Sequence, residues 1–449
     1  MKINIPKHAN YIIHTLQDHG YEAYVVGGCV RDSLLGQIPK DWDITTSASP
    51  YEVKELFAHT IDTGLQHGTV TIMMDKEPYE VTTYRMDGDY VDHRRPTEVI
   101  FTKSLAEDVL RRDFTINAMA YNDEAGLVDL HHGKEDLEQG IIRCVGVARD
   151  RFDEDALRIL RALRFAARFD FTIEEETQKA MAEKKEFLKD ISAERIREEF
   201  TKMITSDHPE IILTAYEMGI TKIILPEWDV MMATPQNHPH HMYNVGIHSL
   251  TAMQHVKATP VLRYAMLLHD SGKPATRTTD ENGIDHFYQH PLISGDIART
   301  VMNRLKFDNA TKNQVITLVK WHDWRFMTKE EINKRSIRRL ANKIGVENTR
   351  LLFEVQKADI LAQSMHQRMD KLEILALTMD LFEEIVADMD CLTIKDLAIN
   401  GGDLIRLGIK PGKHMGEILD MLLFMVLDDP KLNNKDLLLC MVTEMEHLK

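Results

Sequence analysis

Apolar and polar positions recur with two different periods along this chain. Residues 6–19 carry apolar side chains at helical spacing and are followed by Gly20, which predicts a helix that ends there. Residues 69–74 and 79–84 alternate instead, which predicts two strands of an antiparallel hairpin joined by residues 75–78. Beyond about residue 205 the spacing is helical almost throughout. The pattern therefore predicts an α+β chain, with a mixed α/β N-terminal part and an all-helical remainder.

The most informative helical pattern lies at residues 153–168. At 100° per residue, six small or apolar side chains share a sector of about 120°, and four arginines share another about 160° away. The first set is Ala156, Ile159, Leu160, Leu163, Ala166 and Ala167, and the second is Arg158, Arg161, Arg164 and Arg168. Asp155 precedes Arg158 by three positions, so a carboxylate acceptor and a guanidinium donor would stand on neighbouring turns. We expect one face to pack and the other to carry a ladder of guanidinium groups, although an Asp/Arg face is also typical of a solvated surface.

Composition narrows the class of protein. With 449 residues the chain is long enough for two to four domains, each with its own core. Its net charge of −16 argues against a surface coated in basic groups, so any nucleic-acid contact must be concentrated locally. The four cysteines show no ligand spacing, which suits a reducing compartment. No run approaches the roughly 18 apolar residues that cross a bilayer, so we expect no membrane partner and a cytoplasmic location.

Residues 25–46 combine a short apolar strand, a Gly-Gly turn and a short helix. Gly27 and Gly28 would let the backbone approach a ligand closely, where any Cβ would be in the way. A helix starting at Cys29 would aim unpaired N–H groups at an anion, with Arg31 beside it. The stretch therefore predicts a phosphate-binding turn that includes Gly28 and Arg31.

Asp41 and Asp43 complete this pattern. They are two positions apart, so on a strand they would point to the same face with their Cα atoms about 6.8 Å apart. Two carboxylates beside a phosphate-binding turn suit a pair of divalent ions that activate a hydroxyl and steady a departing pyrophosphate. Glu80, on the second predicted hairpin strand, is a candidate third carboxylate. These residues point to nucleotidyl transfer, although a tight turn and an exposed strand end would leave the same two fragments.

The combination resembles a known family. GG-x-VRD-x-LLG followed by D-x-DI-x-T is similar to the first motif of the class II tRNA nucleotidyltransferases, the CCA-adding enzymes and bacterial poly(A) polymerases of the DNA polymerase β superfamily. The resemblance implies that Asp41 and Asp43 are catalytic and hold Mg²⁺. Residues 105–121 have apolar and small residues at helical spacing and contain RRDFTINAMA, which is similar to the second motif. This implies Arg112 as a nucleotide contact and Asp113 as its neighbouring acid.

The resemblance also implies a role for the helix at 153–168. EDALR is similar to the family motif E-D-x-x-R, whose Asp and Arg pair with the edge of incoming CTP or ATP in place of a nucleic-acid template. It implies that role for Asp155 and Arg158, while Arg161 and Arg164 would contact the triphosphate or help to hold the helix. AERIREEF, residues 193–200, resembles a later motif that would brace this helix.

A polar segment follows the hairpin. Residues 85–96 have no periodicity, which predicts a mobile loop. The segment is similar to the flexible loop that complete CCA-adding enzymes use for the final A, and it keeps Asp87, Tyr90, Arg94 and Pro96.

A second chemical cluster lies in the helical part. Its residues are His248, His269, Asp270, His290, His322 and Asp359. Their order resembles the HD phosphohydrolases, and imidazoles with carboxylates on facing helices could hold one or two transition-metal ions. Lys273, three positions after Asp270, could steady a phosphate. The resemblance leaves open whether such a region is a phosphohydrolase or only structural body.

The C-terminal part completes the resemblance. Residues 401–419, GGDLIRLGIKPGKHMGEIL, are similar to the tail of CCA-adding enzymes, which holds tRNA. The resemblance implies four regions, which are a nucleotidyltransferase head at 1–145, a helical neck at 146–235, an HD-type region at 236–375 and a tail at 376–449. It implies addition of C, C and A to tRNA from CTP and ATP. The alternatives are a bacterial poly(A) polymerase, or an HD-type phosphohydrolase as the principal activity.

Overall fold

The computed structural model describes residues 2–88 and 98–447. The chain divides into two compact units, residues 1–226 and 227–449. The division into four regions stays a prediction, except that the proposed boundary between residues 375 and 376 falls inside the helix Arg368–Ala387 and so separates no elements.

A seven-stranded sheet forms the centre of the first unit. In chain order its strands are β1 Ala23–Val26, β2 Ile44–Thr46, β3 Thr60–Gly64, β4 Thr69–Met74 and β5 Glu77–Thr83, and, after the small pair β6 Arg85–Asp87 and β7 Val99–Phe101, β8 Met119–Asn122 and β9 Gly126–Asp129. Their order across the sheet is β3-β4-β5-β2-β1-β8-β9. The β2–β5 pair is parallel, and the other neighbours are antiparallel. The order brings β2 between β1 and β5, so the end of β1 and the start of β2 meet beside the middle of β5, where the acidic pair lies.

The predicted hairpin is confirmed, with a tighter turn than expected. Asp75 and Lys76 both have positive φ, 50° and 73°, so two residues close the turn and β5 begins at Glu77. A turn with positive φ at both central residues matches the right-handed twist of the flanking strands. Residues 77 and 78 therefore belong to the strand.

Helices and short strands surround the sheet and extend beyond it. The helices are α1 Lys7–Asp18, α2 Gly28–Leu34, α3 Pro50–Leu56, α4 Leu105–Leu110, α5 Gly133–Gln139, α6 Ala148–Glu154, α7 Leu157–Phe169, α8 Glu175–Lys184, α9 Ala193–Ile204, α10 Ile211–Glu217 and α11 Thr221–Ile224. The short parallel pair β10 Ile141–Ile142 and β11 Thr172–Ile173 flanks α7. The predicted first helix is confirmed as α1, which buries its apolar face. Ser49 and Glu52 form a capping box that starts α3.

The helical spacing at residues 105–121 corresponds to a helix only over its first six residues. Helix α4 ends at Leu110, a short 3₁₀ turn covers Thr115–Asn117, and β8 then begins at Met119. β8 pairs with β1 on one side and β9 on the other, and all four of its residues are buried. Burial on both faces removes the alternation by which a strand is usually detected.

The second unit is mostly helical, as predicted. Its helices are α12 Pro226–Met232, which starts at the boundary, α13 Val245–Gln254, α14 Pro260–Leu268, α15 Lys273–Thr276, α16 His290–Arg304, α17 Asn309–Trp321, α18 Lys334–Ile344, α19 Val346–Ala362, α20 Arg368–Ala387, α21 Gly401–Arg406, α22 Lys413–Asp428 and α23 Lys435–His447. A hairpin of β12 Arg277–Thr279 and β13 Asp285–Phe287 interrupts them. One apolar cluster runs from Ile337 to Val442 and joins α18, α19 and α20 to α22 and α23. Of the helices in the described ranges, none has the length and apolar character to span a bilayer.

Candidate functional site

The Gly-Gly turn between β1 and α2 is built for close approach. Gly27 has φ 79° and ψ −125°, and a Cβ there would lie 3.0 Å from Nη1 of Arg112 and 3.6 Å from the carbonyl oxygen of Asn117. A Cβ on Gly28 would meet only Nη2 of Arg31 at 3.6 Å, an ordinary contact. The conformational demand therefore falls on Gly27, whereas the sequence pattern had placed the emphasis on Gly28.

Asp41 and Asp43 lie immediately before β2 rather than inside it. β2 begins at Ile44, although the carbonyl oxygen of Asp43 still accepts a 3.0 Å hydrogen bond from Val26 and so continues the ladder with β1. The expectation of two carboxylates on one regular strand is therefore wrong for Asp41, because pairing has not yet begun there. Both side chains are exposed.

The carboxylate of Asp43 lies in a field of other charges. The parallel register sets Ile44 beside Val81, which brings Glu80 next to Asp43. Desolvation by neighbouring protein atoms raises the pKa of Asp43, Arg112 lowers it, and the carboxylates of Glu80 and Asp41 raise it again, with a net shift upward. Three acids thus converge on one place, a site that favours a cation.

Arg112 faces the Gly-Gly turn from the other side. Its Nη2 lies 3.5 Å from Oδ2 of Asp108, and its buried Nε has no hydrogen-bond partner within the described ranges. A half-buried guanidinium with an unused donor, next to a turn that excludes side chains, is suited to bind an oxygen-rich anion.

Arg31 is more deeply buried than the sequence suggests. It is bound by Asp32 and by Oδ1 of Asn117, and its guanidinium lies 5.2 Å and 4.9 Å from the ring centres of Phe165 and Phe169. Burial lowers its pKa, and Asp32 partly restores it. Most donors of Arg31 therefore serve the protein itself and support the turn from below.

Asp113 is a buried acid with three hydrogen-bonding partners. Arg161 binds its Oδ2 at 2.6 Å, Asn117 donates to Oδ1 at 3.1 Å, and the Phe114 amide donates to Oδ1 at 2.8 Å. Burial would raise the pKa of Asp113, but Arg161, Asn117 and Arg158 hold it well below its usual range. Asn117 bridges Arg31 to Asp113, a role that the sequence alone gave no signal for.

Replacing Asp113 with asparagine should lower the free energy of unfolding by about 3 kcal/mol at pH 7, because Arg161 loses a buried partner. The folded-state pKa of Asp113 is depressed, so its contribution is present above about pH 4 and declines as pH falls further. Denaturant unfolding of both proteins from pH 7 to pH 3 should therefore show a difference that shrinks at the acid end.

Glu183→Gln is the matched control, since it removes an exposed bidentate pair with Arg149. We expect Glu183→Gln to lower the free energy of unfolding by less than about 1 kcal/mol. An Asp113→Asn protein as stable as the Glu183→Gln protein would contradict the buried-pair interpretation.

The predicted single helix at 153–168 is wrong at its N-terminal end. Helix α6 stops at Glu154, Asp155 is extended at φ −139° and ψ 102°, and α7 starts at Leu157. Oδ1 of Asp155 accepts a 3.0 Å bond from the Leu157 amide, and its Oδ2 is paired with Arg195 at 2.7 Å. Asp155 thus stands at a break between two helices, where both of its carboxylate oxygens have partners.

Three arginines of the α7 ladder form an internal network, whereas Arg168 is exposed and pairs with Asp32 at 3.1 Å. Arg158 is buried, pairs with Glu154 at 2.5 Å and donates to the Arg111 carbonyl at 2.9 Å. Arg161 pairs with Asp113, and Arg164 pairs with Glu199 at 2.9 Å. Burial lowers the pKa of Arg164 to about 10 despite Glu199.

The segment AERIREEF does contact the α6–α7 region, through Arg195 and Glu199 on α9. Glu154 and Arg195 are further site residues that sequence reasoning did not single out. In the sequence, these two residues are marked only by lying within the motifs EDALR and AERIREEF.

The structure describes only part of the predicted loop at 85–96, but it describes the whole tail segment at 401–419. β6 and β7 bring residues 85–87 and 99–101 together, but Tyr90, Arg94 and Pro96 of the predicted loop lie outside the described residues, as does the side chain of Asp87. In the tail, a capping box of Asn400 and Asp403 starts α21, and Gly412, with φ 155°, precedes α22. The predicted turn before a new helix is therefore present.

The six residues of the second cluster come together in the second unit. They form two groups, His248 with His269 and Asp359, and Asp270 with His290 and His322, and within each group the potential ligand atoms all lie within 4.8 Å of one another. All six are buried. Asp270 connects the groups, since its Oδ2 lies 3.3 Å from Nε2 of His269 and its Oδ1 lies 3.3 Å from Nε2 of His290.

Backbone contacts fix the orientation of three of these imidazoles. The Nδ1 atoms of His269, His290 and His322 lie 2.7, 2.8 and 2.7 Å from the carbonyl oxygens of residues 266, 287 and 319. Each Nδ1 therefore donates, and each Nε2 is directed into the cluster. Nε2 of His290 and Nε2 of His322 lie only 3.2 Å apart.

Positively charged groups surround the two acids of this cluster. Burial lowers the pKa of His269, but Asp270 and Asp359 outweigh it and raise the pKa to about 10. Lys273 lies 2.6 Å from Oδ2 of Asp270, and Arg325 lies 3.2 Å from Oδ2 of Asp359. A cavity of about 570 Å³ opens onto this cluster and is lined by both basic residues.

Comparison with known proteins places these sites in context. Residues 23–143 match the poly A polymerase head domain, residues 170–232 match the probable RNA and SrmB-binding site of polymerase A, and residues 278–442 match the putative tRNA nucleotidyltransferase domain 2.

Individual relatives agree with these matches. A stretch of 206 residues is 52% identical to the CCA-adding enzyme of Lactiplantibacillus plantarum and covers 46% of this chain but only 51%, about half, of that relative. The CCA-adding enzyme of Levilactobacillus brevis is 35% identical over 439 residues, 97% of each chain. The crystal structure of the Bacillus stearothermophilus CCA-adding enzyme in complex with CTP is similar with a TM-score of 0.72 and 27% identity, over 98% of each chain. With similarity that extends along nearly its whole length, the chain belongs to the family of CCA-adding enzymes.

Proposed function

We propose that this chain adds C, C and A to the 3′ end of tRNA, taking the nucleotides from CTP and ATP and releasing pyrophosphate. The observation that carries the proposal is the similarity to the Levilactobacillus brevis CCA-adding enzyme along 97% of both chains. The similar Bacillus stearothermophilus enzyme was solved with CTP, which supports CTP as a substrate here.

Asp41 and Asp43 are the proposed catalytic residues. The residues fit Mg²⁺, because carboxylate oxygens are its preferred protein ligands and because Asp41 and Glu80 lie close enough to Asp43 to act on its charge. When bound there, Mg²⁺ would supply charge compensation for the attacking 3′-hydroxyl and the leaving pyrophosphate. Glu80 is proposed as a third carboxylate that strengthens the same field.

The triphosphate would bind beside the Gly-Gly turn, against Arg112. The turn admits phosphate oxygens to the backbone, and Arg112 offers the Nε donor that has no partner in the described part of the chain. Arg31, beneath Gly28, would act mainly by holding the turn. Catalysis of this kind depends on positioning and charge compensation rather than on a covalent intermediate.

Asp155 and Arg158 are the proposed readers of the nucleotide base. Both already have protein partners, since Asp155 is paired with Arg195 and Arg158 with Glu154. Pairing with a base edge therefore requires each to exchange an ion pair for hydrogen bonds to the base. Arg161 and Arg164 would hold α7 in place through Asp113 and Glu199.

The turn before α22 is the proposed tRNA contact. Lys410 and Lys413 are exposed on either side of Pro411 and Gly412, and lysines beside an open turn suit phosphates of an RNA backbone. Such an enzyme would act in the cytoplasm, which stays a prediction.

Purified protein with three tRNA transcripts tests this function. The transcripts end before the first C, after CC, or after CCA, and each receives CTP or ATP singly and together. We expect CTP alone to add two residues to the first transcript, ATP alone to add one residue to the second, and the third to stay unchanged. Unlimited A addition to unrelated RNA would instead indicate a poly(A) polymerase, which shares the matched head domain.

A second candidate function is metal binding with phosphohydrolase activity at the HD-type cluster. The donors fit a transition metal, because imidazole and carboxylate form its ligand set and two Nε2 lone pairs converge at 3.2 Å. Lone pairs at that distance repel one another unless a proton or a metal ion lies between them. A bound metal would supply an activated water for attack on a phosphate ester, and Lys273 would steady the phosphate.

Replacing His269 with alanine should weaken transition-metal binding by at least about 100-fold, because it removes a ligand whose orientation the backbone fixes. Metal content after Ni²⁺ or Mn²⁺ loading and dialysis measures binding, and hydrolysis of bis(p-nitrophenyl) phosphate measures activity. His255→Ala, an exposed histidine at the end of α13, is the control. CCA addition should persist in both variants, and metal content and hydrolysis at wild-type levels in His269→Ala would contradict the second site.

A further inference from the structure

Asp108, on α4, is a buried carboxylate with partners in several segments. Its side chain is 0% exposed. Oδ1 accepts from Nε and Nη2 of Arg111 at 3.1 and 2.8 Å and from the amide of Arg85 at 3.4 Å. Oδ2 accepts from Oγ1 of Thr45 at 3.1 Å and lies 3.5 Å from Nη2 of Arg112. One carboxylate therefore ties together β2, β6 and the segment that follows α4.

These partners surround the candidate transferase site. Thr45 lies two positions after Asp43 on the strand that follows the acidic pair. Arg85 begins β6, just before residues 89–97. Arg112 reaches from Asp108 to Gly27, where its Nη1 limits the space beside the turn. Asp108 lies behind these groups and is too deeply buried to contact a substrate itself.

We propose that Asp108 is a positioning residue of the transferase site, which holds Arg112 toward Asp43 and the Gly-Gly turn so that its guanidinium can bind the triphosphate of CTP or ATP. This inference rests on the proposed function of Arg112. Within the described ranges, Asp108 provides the one carboxylate within 4.0 Å of the Arg112 guanidinium. The bond from Thr45 holds Oδ2, so Asp108 connects Arg112 directly to the strand that follows the proposed catalytic acids.

The charge state of Asp108 agrees with this role. Burial raises its pKa, but Arg111 and Arg112, together with the bond from Thr45, outweigh burial and lower the pKa. An ionised carboxylate restricts the rotation of a guanidinium more strongly than a neutral acceptor, because hydrogen bonds between charged groups are the stronger ones. Asparagine at this position would keep the shape and lose that restraint.

The alternative is that Asp108 only neutralises Arg111 and supports the fold. A double-mutant cycle separates the two explanations, since residues that act through one another give non-additive effects. The variants are Asp108→Asn, Arg112→Ala and the double variant. Steady-state kcat and KM for CTP are measured with a tRNA transcript that lacks CCA.

The matched control is Asp136→Asn. Asp136 is another buried carboxylate of the same unit, 3% exposed, and it likewise accepts from a threonine, Thr115 at 2.6 Å, and from an arginine, Arg143 at 3.1 Å. A purely structural effect should appear in both Asp→Asn variants as lower thermal stability. A change in KM for the nucleotide should appear only in Asp108→Asn.

We expect Arg112→Ala to lower kcat/KM for CTP by about 10- to 100-fold, the range for loss of a hydrogen bond to a charged group. Asp108→Asn should lower it by about 10-fold, mainly through KM, and by less than about twofold in the Arg112→Ala background. Equal factors in both backgrounds would overturn the role of Asp108 while leaving that of Arg112 intact. Wild-type kinetics for Arg112→Ala would overturn the nucleotide contact itself, and the inference with it.

Thr45→Val provides a second approach if Asp108→Asn does not fold. It removes, at nearly constant volume, the hydroxyl that bonds Oδ2 at 3.1 Å and that also lies 3.3 Å from the carbonyl oxygen of Thr82. We expect about a threefold rise in KM in the wild-type background and none with Arg112→Ala, since one neutral hydrogen bond is lost. The same rise in both backgrounds would contradict the inference.

Discussion

Replacing Asp43 with asparagine is expected to lower the rate of nucleotide incorporation by about 10³-fold or more, because charge compensation by a bound metal is worth several kcal/mol in the transition state. The acid converges with Asp41 and Glu80 beside the Gly-Gly turn, so the variant loses charge where a cation would bind. Single-turnover incorporation of labelled CTP into a tRNA transcript that lacks CCA measures the effect. The same experiment applies to Asp41→Asn.

The Asp43→Asn variant should lose activity without losing stability. The pKa of Asp43 is raised in the folded protein, so its negative charge is disfavoured there and its removal should not lower the melting temperature. Asp75→Asn is the control, since Asp75 is an exposed acid in the β4–β5 turn. A stable Asp43→Asn protein with the incorporation rate of Asp75→Asn would rule out Asp43 as a catalytic residue.

Replacing Asp155 with alanine should lower kcat/KM for both CTP and ATP by about 10- to 100-fold, since a hydrogen bond between a charged group and the base is lost. The discrimination between CTP and UTP should fall as well, so that UTP competes better for incorporation. Competition assays with CTP and UTP on one transcript measure this ratio directly.

The control for this variant is Asp153→Ala. Asp153 lies two residues upstream on α6 and pairs with Lys184 at 2.6 Å, away from the helix break. Because Asp155 also pairs with Arg195, the Asp155→Ala protein should be checked by thermal unfolding. An unchanged CTP/UTP ratio in a folded Asp155→Ala protein would contradict base reading by this residue.

The fold was predictable wherever a local pattern agreed with the tertiary surroundings. Helix α1 and the β4–β5 hairpin follow directly from their periodicity, because each has one buried face. β8 does not follow from its periodicity, since all of its residues are buried and its small residues imitate helical spacing. The break at Asp155 was equally hidden, because the apolar positions continue across it while the bonds to Leu157 and Arg195 set the geometry.

The residues of the candidate site also divide into those that the sequence pattern reveals and those that only the structure reveals. Asp41, Asp43 and the six residues of the second cluster could be selected from the sequence because their types and order are distinctive. The partners of the arginine ladder could not, since Asp113 and Glu199 are separated from Arg161 and Arg164 by 48 and 35 positions in the sequence. Nothing in the pattern around Asp108 distinguishes it from an ordinary surface residue, and Asn117 is marked only by lying within RRDFTINAMA. The importance of both comes from burial and from the groups that they join.

The most direct test of the central claim is the intact mass of a tRNA transcript that lacks CCA, measured after incubation with the protein, CTP and ATP. We expect a single product heavier by two cytidylates and one adenylate, with no further growth on longer incubation. A transcript of unchanged mass, or a ladder of added adenylates, would contradict the assignment of this chain as an enzyme that completes the 3′ end of tRNA.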